Sequence, residues 1–221
     1  MSLPVADTER CTLVRDRLFS AVIGDSLDAV GRYHQFLPPH VRGLTAEMVC
    51  VGRAMPVLMG DVFGEQARPF GRLTEALDQL EVGEVYLVRA GRTACASWGE
   101  ILTTTSRLRG AAGAVTDGYH RDTKGILDQD WPVFSAGPYA QDSRTRGVVL
   151  DYRVRVDISG TVIDPGDLVF GDRDGVVVIP RELEDEVLER ALAKVTAENL
   201  VLKAISAGMS STGAFKEFGV L

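Results

Sequence analysis

The stretch VYLVRAGRTACASWGEILTTTSRLRGAAGAVTDGYHRDTKGILDQDWPVF, residues 85–134, decides the fold. Val85–Val88 is a short apolar run rich in β-branched and aromatic residues, and it reads as a strand. Residues 99–109 read as a helix closed by Gly110, and Ala114-Val115-Thr116 as a second strand ended by the turn Asp117-Gly118. Residues 122–128 make a short helix, and Pro132–Phe134 begins a third strand. Strand–helix–strand–helix–strand in that order calls for parallel pairing and right-handed crossovers.

Outward from this unit the pattern changes. Toward the C-terminus, Val148–Ile158 alternates as one antiparallel strand, with Val149, Tyr152, Val154 and Val156 prominent. Pro165-Gly166-Asp167 is a turn, and Leu168–Phe170 pairs with Val176–Ile179 across Asp172-Arg173-Asp174-Gly175. A long amphipathic helix runs from Arg181 to Ala207 and stops at Gly208. Toward the N-terminus, Met48–Met59 is β-like and a short helix covers Leu73–Leu80. Two successive prolines, Pro38-Pro39, make the preceding segment irregular. Residues 7–31 read as helix, in one or two pieces, with Asp7 as the N-cap and Leu18, Val22, Leu27 and Val30 on the apolar face. No linker or composition shift divides the chain. The expectation is a single α/β domain over residues 1–221, with a parallel βαβαβ portion, antiparallel strands and a long C-terminal helix; residues 1–14 form a peripheral helix.

Composition narrows the function classes. The 221 residues carry 24 basic and 31 acidic side chains, a net charge of −7, which argues against a nucleic-acid or anionic-membrane binder. A 45% hydrophobic content excludes disorder. Cys11, Cys50 and Cys95 are widely spaced and odd in number, so they read as small buried hydrophobes in a reducing compartment. His34, His40 and His120 form no HxxxH or HxH pair, which disfavours a histidine-rich zinc site. No apolar run is long enough to span a bilayer, and Met1-Ser2-Leu3-Pro4 does not open a signal peptide, so a cytoplasmic location is expected. Only Lys124, Lys194, Lys203 and Lys216 are lysines; candidates for Schiff-base chemistry are therefore few.

Three places could carry chemistry. In Trp98-Gly99-Glu100-Ile101-Leu102, a helix starting near Gly99 leaves the amides of Glu100, Ile101 and Leu102 without intrahelical acceptors, a ready carboxylate or phosphate site. The alternative is a glycine-capped helix with Glu100 on its dipole. In Asp117-Gly118-Tyr119-His120-Arg121-Asp122, the segment leaves the carboxyl edge of a parallel strand, where α/β proteins place ligands. Arg121 offers a bidentate fork for a carboxylate, and Asp122 a hard oxygen for Mg²⁺ or Mn²⁺, unless the two simply pair with each other. Topology brings both segments to one edge. Glu198 lies on the apolar stripe of the last helix, within about 20° of Val187 and Ala191, and needs a partner there. It is either a snorkelling side chain or a group serving a site or a subunit contact.

Other motifs fail. Gly110-Ala111-Ala112-Gly113 precedes a strand, whereas a dinucleotide loop follows one. Asp172-Arg173-Asp174-Gly175 lacks a calcium loop's closing glutamate, Asp25 reads as a helix cap, and the arginines between 144 and 155 have few aromatics beside them for RNA.

Trp98-Gly99-Glu100-Ile101-Leu102, Asp117-Gly118, Arg121-Asp122, Pro165-Gly166-Asp167 and Asp172–Pro180 together resemble the RraA-like family, from about residue 15 to the closing Gly208–Leu221 segment. That family includes class II pyruvate aldolases acting on 4-hydroxy-4-methyl-2-oxoglutarate and 4-carboxy-4-hydroxy-2-oxoadipate, and the regulator of ribonuclease E activity. The resemblance implies a layered sandwich of the swivelling-domain type. It implies that Arg121 holds the pyruvyl group, Asp122 binds the divalent metal, and the Ile101 and Leu102 amides take the substrate carboxylate beside Gly99. The acid after the glycine, commonly Asp and here Glu100, holds a water that moves the proton. Trimers or dimers of trimers are implied, with Glu198 similar to an acid contributed near the neighbour's site. The expected activity is metal-dependent cleavage of a 4-hydroxy-2-oxo diacid through a pyruvate enolate, with oxaloacetate decarboxylation beside it. The competing expectation is a non-catalytic, protein-binding regulator.

Overall fold

The computed structural model describes residues 3–219. In chain order its elements are α1 (Asp7–Arg17), α2 (Ser20–Ala29), β1 (Arg42–Gly43), β2 (Cys50–Asp61), α3 (Leu73–Asp78), β3 (Glu84–Arg89), β4 (Ala96–Trp98) and α4 (Glu100–Leu108). Then follow β5 (Gly113–Thr116), β6 (Tyr119–His120), α5 (Thr123–Leu127), β7 (Val133–Ser135), β8 (Gly147–Tyr152), β9 (Val156–Ile158) and β10 (Thr161–Ile163). The chain closes with β11 (Leu168–Asp172), β12 (Gly175–Ile179), a 3₁₀ turn, α6 (Glu184–Ser206) and α7 (Ser211–Phe218). Residues 1–2 and 220–221, the ends of the expected N-terminal and closing segments, lie outside the described residues.

The main sheet has eight strands in the order β1-β7-β5-β3-β2-β11-β12, with β8 also on β2. Its centre is parallel: β2 pairs β3, β3 pairs β5, and β5 pairs β7. This is the expected βαβαβ unit, extended by β2 on its open side. Its strands are buried along nearly their whole length, as strands covered on both faces must be. Alternation along β3 divides the core: Tyr86 and Val88 join the cluster under α3, α4 and β8, while Val85 and Leu87 join the one capped by the β9–β10 hairpin. A third cluster packs α1, α2 and the first half of α6 on β11 and β12. The architecture is thus a mixed α/β domain with a long C-terminal helix.

Several local expectations need correction. The alternation over 148–158 does not form one strand; Arg153 adopts φ 54°, which ends β8 and turns the chain into β9. There its guanidinium reaches Glu84, and its amide donates to the Pro56 carbonyl. Asp7 is not the N-cap of α1; Ala6 occupies that place, and the Asp7 carboxylate bonds Arg53 instead. That hydrogen bond from Arg53 holds the Asp7 carboxyl below its ordinary pKa. Asp25 does not cap a helix either: it sits inside α2 and pairs with Lys194 of α6. The opening helix is held to the body through buried Val14 and through Arg10, which reaches Glu184. Among the described residues no helix is long and apolar enough to cross a membrane.

Candidate active site

Two very short strands assemble the site. β4 and β6 pair in parallel, apart from the main sheet, with Ala96 opposite Tyr119 and Trp98 opposite His120. Each runs straight into a helix: Trp98 into Gly99 and α4, His120 into Arg121-Asp122 and α5. The Arg121 amide donates to the Trp98 carbonyl at 3.0 Å, which fastens the two crossings together. Nothing in the alternation of residues 96–98 or 119–120 announced strands of two or three residues.

Gly99 is extended (φ −167°, ψ −177°), a conformation open to any residue; crowding is what demands glycine. A Cβ there would lie 2.9 Å from Asp122 Oδ2 and 3.5 Å from Arg121 Cγ. Gly99→Ala should therefore displace both side chains while the fold survives. A displacement near 1 Å at a reacting group costs about 10²-fold. Steady-state kinetics should show a loss in kcat/KM of that order, with a melting temperature lowered by only a few degrees.

The first helical bond of α4 runs from the Thr103 amide to the Gly99 carbonyl at 3.1 Å, so the amides before it lack helical acceptors. Glu100 N–H points at Asp122 Oδ2, 3.4 Å away, which leaves Ile101 and Leu102. The helix start is rigid because Thr103 Oγ1 donates to the Gly99 carbonyl and accepts from Trp98 Nε1 at 2.8 Å. The Trp98 ring, 2% exposed, stacks on Trp131 with centroids 6.1 Å apart.

On the other crossing, Asp122 takes a left-handed backbone (φ 59°, ψ 37°), which aspartate tolerates better than most residues. Its turn aims the carboxylate back toward α4. Arg121 lies between two acids, 3.6 Å from Asp122 Oδ2 and 3.6 Å from Asp142 Oδ1, beyond hydrogen-bond length in both cases. Its fork is held in place without being saturated. His120, just before it, is buried, with ring nitrogens 2.7 Å from Ser135 Oγ and 3.0 Å from Thr123 Oγ1. Burial pushes that imidazole below its usual pKa, so it serves as a neutral brace for the turn.

Gly99, Ile101, Leu102, Arg121 and Asp122 all line one cavity of about 240 Å³, together with Asp142 and Ser143. Glu100 is outside that wall: its carboxyl group leans on α5, where a Cβ at Gly125 would meet it at 2.2 Å. Glu198 is also outside; it lies on α6, a quarter exposed, with its carboxylate 3.8 Å from the Lys194 ammonium, which bonds Asp25 instead. Asp142 escaped sequence reading because it belongs to a loop, tied to β4 by a bridge to Ala96 that no periodicity foretells.

The residues fit a hard cation better than a soft one. Among the described residues no three His, Cys, Asp or Glu side chains converge as a metal cage. Asp122 offers one half-exposed carboxylate, and Mg²⁺ is commonly held by one or two carboxylates, with waters and substrate oxygens completing its shell. No lysine lines the cavity. The nearest in sequence, Lys124, is 89% exposed and bonded to Asp128, which raises its pKa.

A family model described as Aldolase/RraA matches residues 20–178, a span that contains both crossings. The chain belongs to the RraA-like family. Protein DlpA of Legionella pneumophila is 28% identical over 202 residues; the match takes 90% of this chain but only 32% of DlpA, so the chain spans about a third of that relative. A protein of Halalkalibacterium halodurans named "Putative 4-hydroxy-4-methyl-2-oxoglutarate aldolase" is 28% identical over 196 residues, 88% of each chain. Among solved RraA-like structures, Streptomyces coelicolor RraAS2, described as an unusual member of the RNase ES inhibitor RraA protein family, superposes with a TM-score of 0.78. It shares 25% identity and is covered over 88% of this chain and 96% of its own.

Proposed function

We propose that this RraA-like chain is a divalent-metal-dependent lyase that breaks a C–C bond of a 4-hydroxy-2-oxo diacid and releases pyruvate, with oxaloacetate decarboxylation as a related activity. The observation that carries this reading is the convergence of Arg121, Asp122 and the amino end of α4 on one cavity. Arg121 and the Ile101 and Leu102 amides receive the substrate carboxylate. Asp122 holds Mg²⁺ or Mn²⁺, which supplies Lewis acidity toward the ketone oxygen. As the bond breaks, negative charge develops on that oxygen, and the fixed guanidinium of Arg121 stabilises it. Glu100, set outside the cavity wall, moves a proton only through an intervening water. The reading extends to a cytoplasmic homotrimer or dimer of trimers, in which Glu198 serves a neighbour's site.

The test follows pyruvate from oxaloacetate and from 4-hydroxy-4-methyl-2-oxoglutarate. Release that EDTA abolishes and added Mg²⁺ or Mn²⁺ restores is expected; no metal-restored release from either substrate would sink the proposal. The similarity to the Streptomyces structure supports a second reading, a protein-binding regulator of ribonuclease E type. Capture of such a ribonuclease by wild type and Arg121→Ala alike, with no pyruvate from either, would favour it.

A further inference from the structure

Three charged side chains stand on the lining of the cavity: Arg121, Asp122 and Asp142. Farther in, the wall is built of core residues such as Met59, Leu77 and Val149. The two acids address different nitrogens of the guanidinium. Asp122 Oδ2 is 3.6 Å from Nε, and Asp142 Oδ1 is 3.6 Å from Nη1. Neither contact is a closed hydrogen bond, so Arg121 is shared between its chain neighbour and a distant loop. An arginine drawn by a single neighbouring carboxylate closes on it in a short charge-assisted bond. Closure on Asp122 would turn the fork away from the substrate and set a positive charge against the proposed cation ligand. Asp122 Oδ2 is already approached by the Glu100 amide at 3.4 Å.

The backbone fixes where Asp142 stands. Ahead of it, Ala96 N–H donates to the Gln141 carbonyl at 2.7 Å, and Tyr139 N–H donates to the His120 carbonyl at 2.8 Å. Its segment is therefore bonded to both β4 and β6, the strands that lead into Gly99 and Arg121. Behind it, the Ser143 carbonyl accepts from the Arg146 and Gly147 amides, each at 2.7 Å. Arg146 Nη1 donates to the Asp142 carbonyl itself at 3.1 Å.

We propose that Asp142 is the positioning residue for Arg121: it draws the guanidinium off Asp122 and turns its fork to the substrate carboxylate. This rests on the proposed 2-oxo acid site and gives Asp142 no contact with substrate or cation. At 3.6 Å the hold is coulombic, so charge carries it rather than shape.

Asp142→Asn keeps the shape and removes the charge. Pyruvate binding to the Mg²⁺-saturated protein, read by calorimetry, should weaken about tenfold, as when one charge-assisted hydrogen bond is lost. Removing an acid that merely stood near the site would do the reverse and tighten binding of an anion. The sign of the change therefore separates the two roles. With oxaloacetate, kcat/KM should fall about 10–10²-fold, the cost of a displaced reacting group. The melting temperature should move by no more than about 2 °C, because the loop is held by its backbone. In the Arg121→Ala background nothing is left to position, so adding Asp142→Asn should leave pyruvate affinity within about twofold or tighten it.

Pyruvate binding as tight or tighter in Asp142→Asn alone overturns the inference while the 2-oxo acid site stands. A tenfold weakening that persists in the Arg121→Ala background would mean that the acid acts on ligand or metal directly, and overturns it too. So does a weakening accompanied by a melting temperature lowered by more than about 4 °C, since Asp142 would then hold the loop. If the wild type neither binds pyruvate nor releases it, the proposed function falls and takes this inference with it.

Discussion

Arg121→Ala should lower kcat/KM for pyruvate release by about 10²–10³-fold, the loss seen when a preorganised donor to developing negative charge is removed. Stability should barely change, because the side chain is 38% exposed and its ion pairs to Asp122 and Asp142 are loose. Arg121→Lys separates charge from shape. A lysine keeps the positive charge but loses the planar fork, so it should recover only part of the activity, leaving a deficit of roughly tenfold. Full activity in Arg121→Ala, measured with a coupled pyruvate assay, would remove this residue from the chemistry. A comparable loss in both variants together with a lowered melting temperature would mean that Arg121 holds the fold.

Glu184→Ala should be strongly destabilising, by roughly 3 kcal/mol. Glu184 opens α6 with a side chain only 3% exposed, bonded to Arg10 at 2.7 Å and to both terminal nitrogens of Arg53. Burial opposes charge on Arg53, but its hydrogen bonds to Glu184 and Asp7 more than offset this and raise its pKa. Removing Glu184 takes from Arg10 and Arg53 the acid they share and leaves Asp185 to the first and Asp7 to the second. For a chain of this size the deficit corresponds to a melting temperature lowered by roughly 6–12 °C. Glu184→Gln keeps two hydrogen-bonding atoms and should fall between the two. A thermal melt of Glu184→Ala within about 2 °C of wild type would show that Asp7 and Asp185 suffice.

These two residues differ in how readable they were. Arg121 and Asp122 follow a predicted strand and turn directly, so local pattern placed them at the carboxyl edge, and Gly99 through Leu102 reached the same edge by βαβ connectivity. The parallel centre was legible for the same reason, since crossovers are local in sequence. Glu184 and Arg53 are 131 residues apart, and their meeting depends on the register of β11 against β2. Periodicity carries no such information. The wall of the cavity was hidden likewise: Met59, Leu77, Tyr86 and Val149 each look like ordinary core, and only the assembled faces leave space among them. The break at Arg153 was missed because its neighbours keep alternating while a single positive φ reverses the chain.

The left-handed turn at Asp122 places two unrelated demands on one position. Its backbone favours glycine, asparagine and aspartate, whereas the proposed cation would need the carboxylate. Mutational drift at this site therefore has few exits. Asparagine or glycine would keep the turn with least strain while removing the carboxylate. On the proposed reading, Asp122→Asn in this chain should keep the turn and lose the metal-dependent activity in a single step.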